Sequence, residues 1–114
     1  MAKTALAQGA DPDHGILMAP LHFAAVRGRP EIELLLLQHG AHINARSGLI
    51  GSSALQGAVI RGQFESVRLL VDHGADVNQR NYFLHTALYF AARARSATDK
   101  TKILSYLQQH GAHS

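Results

Sequence analysis

Eight histidines and no cysteine in 114 residues put imidazole chemistry first, either metal ligation or proton transfer. His39, His73 and His110 each stand before a Gly-Ala pair. Packed helices hold such rungs about 8–10 Å apart, whereas Zn–N bonds run to about 2.1 Å, so one ion cannot bridge the ladder. These imidazoles suit the last carbonyls of a helix, whose partial negative charge also favours a cation. His39 with His42, and His110 with His113, each offer two ligands, and no third is spaced to complete either set. No metal and no cofactor are expected. Ser52 and Ser53 lack the G-x-S-x-G elbow of a serine hydrolase. The chain also has no Walker A loop, no G-x-G-x-x-G and no H-E-x-x-H. Asp11/Asp13 and Glu31/Glu33 sit in a loop and at a helix start, where their charge needs no catalytic explanation. No enzymatic activity is expected.

What remains is patterned positive charge. Arg27 and Arg61 lie 34 residues apart, as do Arg46 and Arg80. Arg93, or Arg95, falls near the Arg27–Arg61 column one period later. Tyr82 and Phe83 follow Arg80 on a loop, and Ile16, Leu17 and Met18 occupy an earlier one. Aromatic residues beside arginine are typical of binding hot spots. Tyr82 is expected to be exposed, and Phe83 to fold back and be buried.

The elements that must position these side chains repeat. Ala19-Pro20-Leu21-His22-Phe23-Ala24-Ala25 is followed by Gly28, an apolar run around Ile32 to Leu37, and His39-Gly40-Ala41-His42-Ile43-Asn44. Ser53-Ala54-Leu55-Gln56-Gly57-Ala58 leads in the same way to His73-Gly74-Ala75-Asp76-Val77-Asn78, and Thr86-Ala87-Leu88-Tyr89-Phe90-Ala91 leads to His110-Gly111-Ala112. This order resembles the ankyrin repeat and its T-P-L-H-x-A signature. The resemblance implies an all-α solenoid of antiparallel helix pairs with hairpin-like loops projecting to one side. It places a partial repeat at 1–10 and repeats at about 11–44, 45–78 and 79–114, all in one domain.

Inner helices are expected over about 20–27, 54–61 and 87–95, with small residues allowing close stacking. Outer helices are expected over about 30–39, 64–73 and 99–110. Their apolar trios at i, i+3, i+4 spacing are Ile32, Leu35, Leu36; Val67, Leu70, Val71; and Ile103, Tyr106, Leu107. Glu31, Glu33 and Glu65 fall at outer-helix starts. Ser53 and Thr86 supply caps that Ala19 lacks. Thr86 to Gly111 spans 25 residues against 21 for Ala19 to Gly40, so a longer loop near Arg95–Asp99 is expected, with Thr98 or Asp99 capping the next helix.

In proteins of this family the loop tips and inner-helix ends line a concave binding face. That correspondence gathers Arg27, Arg46, Arg61, Arg80, Arg93 and Tyr82 on one side as partner-binding residues, and implies another protein with an acidic surface as partner. Binding of a polyanion such as RNA or an oligonucleotide through the same face is the alternative, and a structural fragment without a partner is a third. The family also implies that His22, Asn44 and Asn78 bond neighbouring loop backbone. Asp76-Val77-Asn78 is similar to the pattern accepted by an asparaginyl hydroxylase, which would make Asn78 a modification site. The net charge of +3 is too mild to imply a nucleic-acid partner. The longest apolar run, Ala87 to Ala92, is far short of the roughly 20 residues of a membrane span. An intracellular monomer is expected.

Overall fold

The computed structural model describes residues 19–113. The partial repeat at 1–10 and the first loop, with Ile16, Leu17 and Met18, lie outside the described residues. Six helices follow in pairs: α1 Pro20–Val26 and α2 Pro30–Gln38, α3 Ala54–Ile60 and α4 Phe64–Asp72, α5 Ala87–Ala91 and α6 Ala97–Gln109. The inner helices α1, α3 and α5 stack in one layer, and the outer helices α2, α4 and α6 in a second.

Local chemistry explains the helix ends. Pro20 and Pro30 open α1 and α2, where a missing N–H costs nothing. Ser53 and Gln56 form a reciprocal capping box on α3, and the Thr86 side chain accepts from the Tyr89 amide on α5. Ala19 gives α1 no such cap. Arg27 and Arg61 are the C-caps of α1 and α3, and Gly28 and Gly62 follow at φ 66° and 69°. Their amides donate to Ala25 and Val59, and the next amides to Ala24 and Ala58. This is the Schellman closure, and its left-handed residue suits glycine. The Gly-Ala pairs close the outer helices in the same way, with Ala41, Ala75 and Ala112 donating to Leu36, Leu70 and Leu107.

The third repeat has no glycine at this point, and its inner helix stops early. Helix α5 has five residues against seven in α1 and α3, while α6 has thirteen against nine in α2 and α4. The loop between α5 and α6 is longer than its counterparts, as expected. Helix α6 begins at Ala97, however, so Thr98 and Asp99 lie within it and not ahead of it.

The core runs between the layers. Leu36, Leu55, Leu70, Ile103 and Leu107 are fully buried, and truncating such a leucine to alanine typically costs about 2–5 kcal/mol. Close stacking depends on Gly57, where an added Cβ would lie 2.9 Å from Val26 Cγ1 and 3.0 Å from the His22 ring. The outer helices α2 and α4 are rotated from the expected phase, whereas α6 buries Ile103 and Leu107 as expected. In α2 the buried residues are Glu33 and Leu36, while Ile32 is 36% exposed. In α4 Ser66 joins Val67 and Leu70, and Val71 is only half-buried. Each outer helix presents an edge to the next outer helix as well as to its own inner helix. That second contact buries Glu33 against Ser66, whose hydroxyl donates to Glu33 Oε2.

Candidate functional site

The loops between helix pairs are the first part of the site. Ser47 and Ser52 exchange backbone hydrogen bonds of 2.9 and 3.0 Å across a tight hairpin. Asn81 and His85 close the next one through Asn81 N–H to His85 O at 3.0 Å. The Asn81 carboxamide oxygen accepts from the amides of Phe83 and His85, an Asx arrangement that fixes a turn. The two tips touch. Tyr82 N–H donates to Ile50 O at 2.9 Å, the Tyr82 ring lies over Gly51, and Arg46 donates twice to Arg80 O.

This geometry turns apolar side chains outward. Tyr82 is 64% exposed, as expected, but Phe83 is 63% exposed and Leu84 70%. The expectation that Phe83 is buried is therefore corrected. Its amide is tied to Asn81, the turn throws its ring away from the inner helix, and it makes only a 6.5 Å stack with His85. Leu84 has φ 66°, a left-handed backbone that costs a non-glycine residue about 1–2 kcal/mol. Leu49 and Ile50 on the neighbouring tip are also exposed.

The inner-helix ends are the second part. Arg27 and Arg61 are exposed at the C-caps of α1 and α3, and the Arg27 guanidinium lies 4.9 Å from the Phe23 ring. Arg93 does not repeat this position. Counted from the N-caps it matches Ile60, and because α5 ends early it folds back, with Nη1 donating to Tyr89 O and the guanidinium 3.8 Å from the Tyr89 ring. The other face of Tyr89 stacks on His85 at 3.7 Å and nearly parallel. Arg46 is likewise partly committed, to the Arg80 carbonyl. Arg61 and Arg80 make no ion pair with another described residue.

One position connects the loops to the helices. His22, Gln56 and Tyr89 occupy the third place of successive inner helices. His22 is buried, and burial lowers its pKa, which backbone hydrogen bonds with Ser52 and Ser53 raise in part. Gln56 Nε2 donates to Gln79 O at 2.8 Å and to His85 O at 3.1 Å. Tyr89 cannot do this and stacks instead.

A second ladder runs where the outer helices give way to the loops. Asn44 Oδ1 accepts from the Asp76 amide at 2.8 Å and Asn78 Oδ1 from the His113 amide at 2.9 Å, and Asn78 Nδ2 reaches Gly111 O. Both polar atoms of the Asn78 side chain are thus engaged with the next repeat. His39, His73 and His110 bond the carbonyls of Leu35, Leu69 and Tyr106 at 2.8–2.9 Å, which is the role expected of them. No cluster of three metal-ligating residues occurs among the described residues, and no described helix is long and apolar enough to cross a membrane.

Sequence reasoning missed two residues of consequence. Leu84 carries no signal beyond its neighbours, since a left-handed leucine is visible only in the folded loop. Glu33 lies one residue from the apolar stripe, so only the helix rotation reveals its burial.

A search of curated proteins returns no significant match. The family model for ankyrin repeats matches residues 21–114 in three copies, which is the span over which the helix pairs, Schellman closures and asparagine ladder recur. Members of this family are in general protein–protein interaction modules. The chain belongs to the ankyrin repeat family.

Proposed function

We propose that this chain is a non-enzymatic, intracellular adaptor that holds an acidic surface of another protein, with Arg27, Arg61 and Arg93 on the inner-helix ends and Arg46, Arg80 and Tyr82 on the loops. The observation that supports this reading best is that the inner helices and the residues just after them carry arginines and no aspartate or glutamate, whereas the outer helices mix Glu31, Glu65 and Asp72 with Arg68, Lys100 and Lys102. The arginines lie at inner-helix ends and on the loops. Exposed Glu65 lies on an outer helix, paired with Arg68 at 3.5 Å, and Asp72 on the same helix accepts from the Tyr106 hydroxyl at 3.0 Å. A face of one sign steers partners of the other. The exposed tip residues Tyr82 and Phe83 supply the apolar contact that charge alone lacks.

The test is a pull-down from nuclease-treated extract, comparing the native chain with the triple variant Arg27→Glu, Arg61→Glu, Arg93→Glu. A protein partner captured by the first and lost by the second is the expected result. Equal capture by both sinks the basic-face reading. Capture that disappears on nuclease treatment, with a steep salt dependence, favours the polyanion alternative. Hydroxylation at Asn78 would require the junction with the third repeat to open, because both amide atoms of that side chain are bonded there.

A further inference from the structure

The third repeat exposes what the first two bury. At the second position of the inner helices, Leu21 and Leu55 are buried whereas Leu88 is only half-buried. Six places past the N-cap, Ala25 and Val59 are buried whereas Ala92, just past the end of α5, is exposed. These two residues floor a groove of about 290 Å³, walled by Leu84 and Tyr89 and flanked by Arg80 and Arg93. That volume accommodates one or two side chains and not a whole domain.

Three observations limit what fills it. From Val77 to Thr98 the chain has three arginines and no aspartate or glutamate, so the groove is positive at its rim and apolar at its floor. A two-fold pairing of this face with itself would set Arg80 and Arg93 against their own copies. Stacking of a nucleobase on Tyr89 is blocked, because His85 covers one face of that ring at 3.7 Å and Arg93 the other at 3.8 Å. A peptide carrying an aliphatic side chain next to carboxylates satisfies floor and rim together.

We infer that the groove between the Asn81–His85 loop and α5 is the seat for an aliphatic side chain of the partner, with flanking Asp or Glu residues meeting Arg80 and Arg93. This rests on the acidic-partner reading above and narrows it to an extended acidic–aliphatic segment. The wall is held ready. Asn81 pins the loop through two backbone amides, and Leu84 is kept in a left-handed conformation with its side chain at the groove edge. Strain of this kind persists where the surrounding structure enforces it, often at ligand sites.

The probe is the peptide Gly-Ser-Leu-Glu-Glu-Ser-Gly, titrated into ¹⁵N-labelled protein while backbone amide shifts are followed. One control replaces its Leu with Ser, a second replaces both Glu with Lys, and a ten-nucleotide oligo-dT serves as the polyanion. Shifts confined to the groove residues between Arg80 and Arg93, with binding about tenfold weaker for the Ser control and weaker again for the Lys control, are expected. Leu84→Gly is the decisive variant. It should fold at least as stably, since glycine suits φ 66°, yet bind about tenfold more weakly through loss of the wall. Equal binding by the Leu and Ser peptides, or by oligo-dT at the same amides, overturns the inference. Concentration-dependent dimerisation abolished by Leu84→Gly also overturns it, in favour of a second copy. Shifts around Arg27 and Arg61 alone overturn the groove but leave the acidic-partner reading standing, and no shift with either acidic peptide overturns both.

Discussion

Glu33 should make the stability of this protein fall as pH rises from the acid side. The residue is fully buried, Ser66 Oγ donates to its Oε2, and Oε1 has no partner among the described residues. Burial raises its pKa above the ordinary 4.5, the Ser66 hydrogen bond lowers it in part, and the nearby Glu31 charge raises it further. The folded state therefore holds the proton more tightly than the unfolded one. The stabilisation is fully present below pH 4.5 and is lost as pH rises towards the folded pKa. One proton sets the steepest slope, about 1.4 kcal/mol per pH unit. Glu33→Gln keeps the volume and an acceptor for Ser66 but cannot ionise, so the variant gains on the native chain by up to that slope until the folded pKa is passed. At about 4–8 °C per kcal/mol for a domain near this size, the divergence in Tm is easily read. Urea midpoints at pH 4, 5, 6 and 7 would measure it. His22 titrates in the opposite sense, but it is present in both proteins and cancels in the difference. Parallel stability curves would refute the reasoning and place the Glu33 carboxylate in contact with water or a cation.

His22 predicts its own acid limb. Its lowered pKa means that stability is present above the ordinary 6.5 and is lost as pH falls through the folded value, and His22→Gln should flatten that limb in urea titrations. Gln56→Leu removes two bonds to the Gln79 and His85 carbonyls and one from the Ser53 amide. The His85 carbonyl keeps the Asn81 amide, so the Gln79 carbonyl and the Ser53 amide are left unpaired, and at about 1–3 kcal/mol for each a loss of at least about 2 kcal/mol is expected. Amide exchange should then speed up in α5 and α6 more than in α1, and uniform acceleration would contradict the coupling. Leu84→Gly should raise stability by about 1 kcal/mol from released strain, measured as a higher urea midpoint. Thr86→Ala should cost about 1 kcal/mol through the lost cap on the Tyr89 amide, seen as a lower Tm.

The repeat was legible because its signals are local. A glycine after a helix, a proline at its first turn and a hydroxyl at its cap each fix a boundary within a residue or two, and all recur at one period. The histidines before Gly40, Gly74 and Gly111 were readable for the same reason, since their partner carbonyls lie four residues back. What failed depended on neighbours distant in sequence. The burial of Glu33 is set by Ser66, 33 residues on. The exposure of Phe83 is set by the Asn81 turn and by the tip of the preceding loop, where Ile50 fixes Tyr82. Arg93 stands one place before the Arg27–Arg61 column when positions are counted from the helix caps, and what its side chain touches there depends on Tyr89 and the early end of α5, which no spacing reveals.

The His22–Gln56–Tyr89 series carries this last point into function. At one position of the stack, a histidine lies buried beside the Ser52–Ser53 backbone and a glutamine spans two carbonyls of the next loop. A phenol has no amide with which to make that bridge. It stacks between His85 and Arg93, and this holds the Arg93 guanidinium beside the groove. The substitution that interrupts the structural series is thus the one that sets the charge at the groove rim. Tyr89→Gln puts this to a direct test. Freed of the ring, Arg93 should lose its stacked position, and the acidic–aliphatic peptide should bind more weakly while the fold is retained by circular dichroism. Unchanged affinity would mean that Arg93 reaches the peptide without Tyr89, and that the break in the series is structural alone.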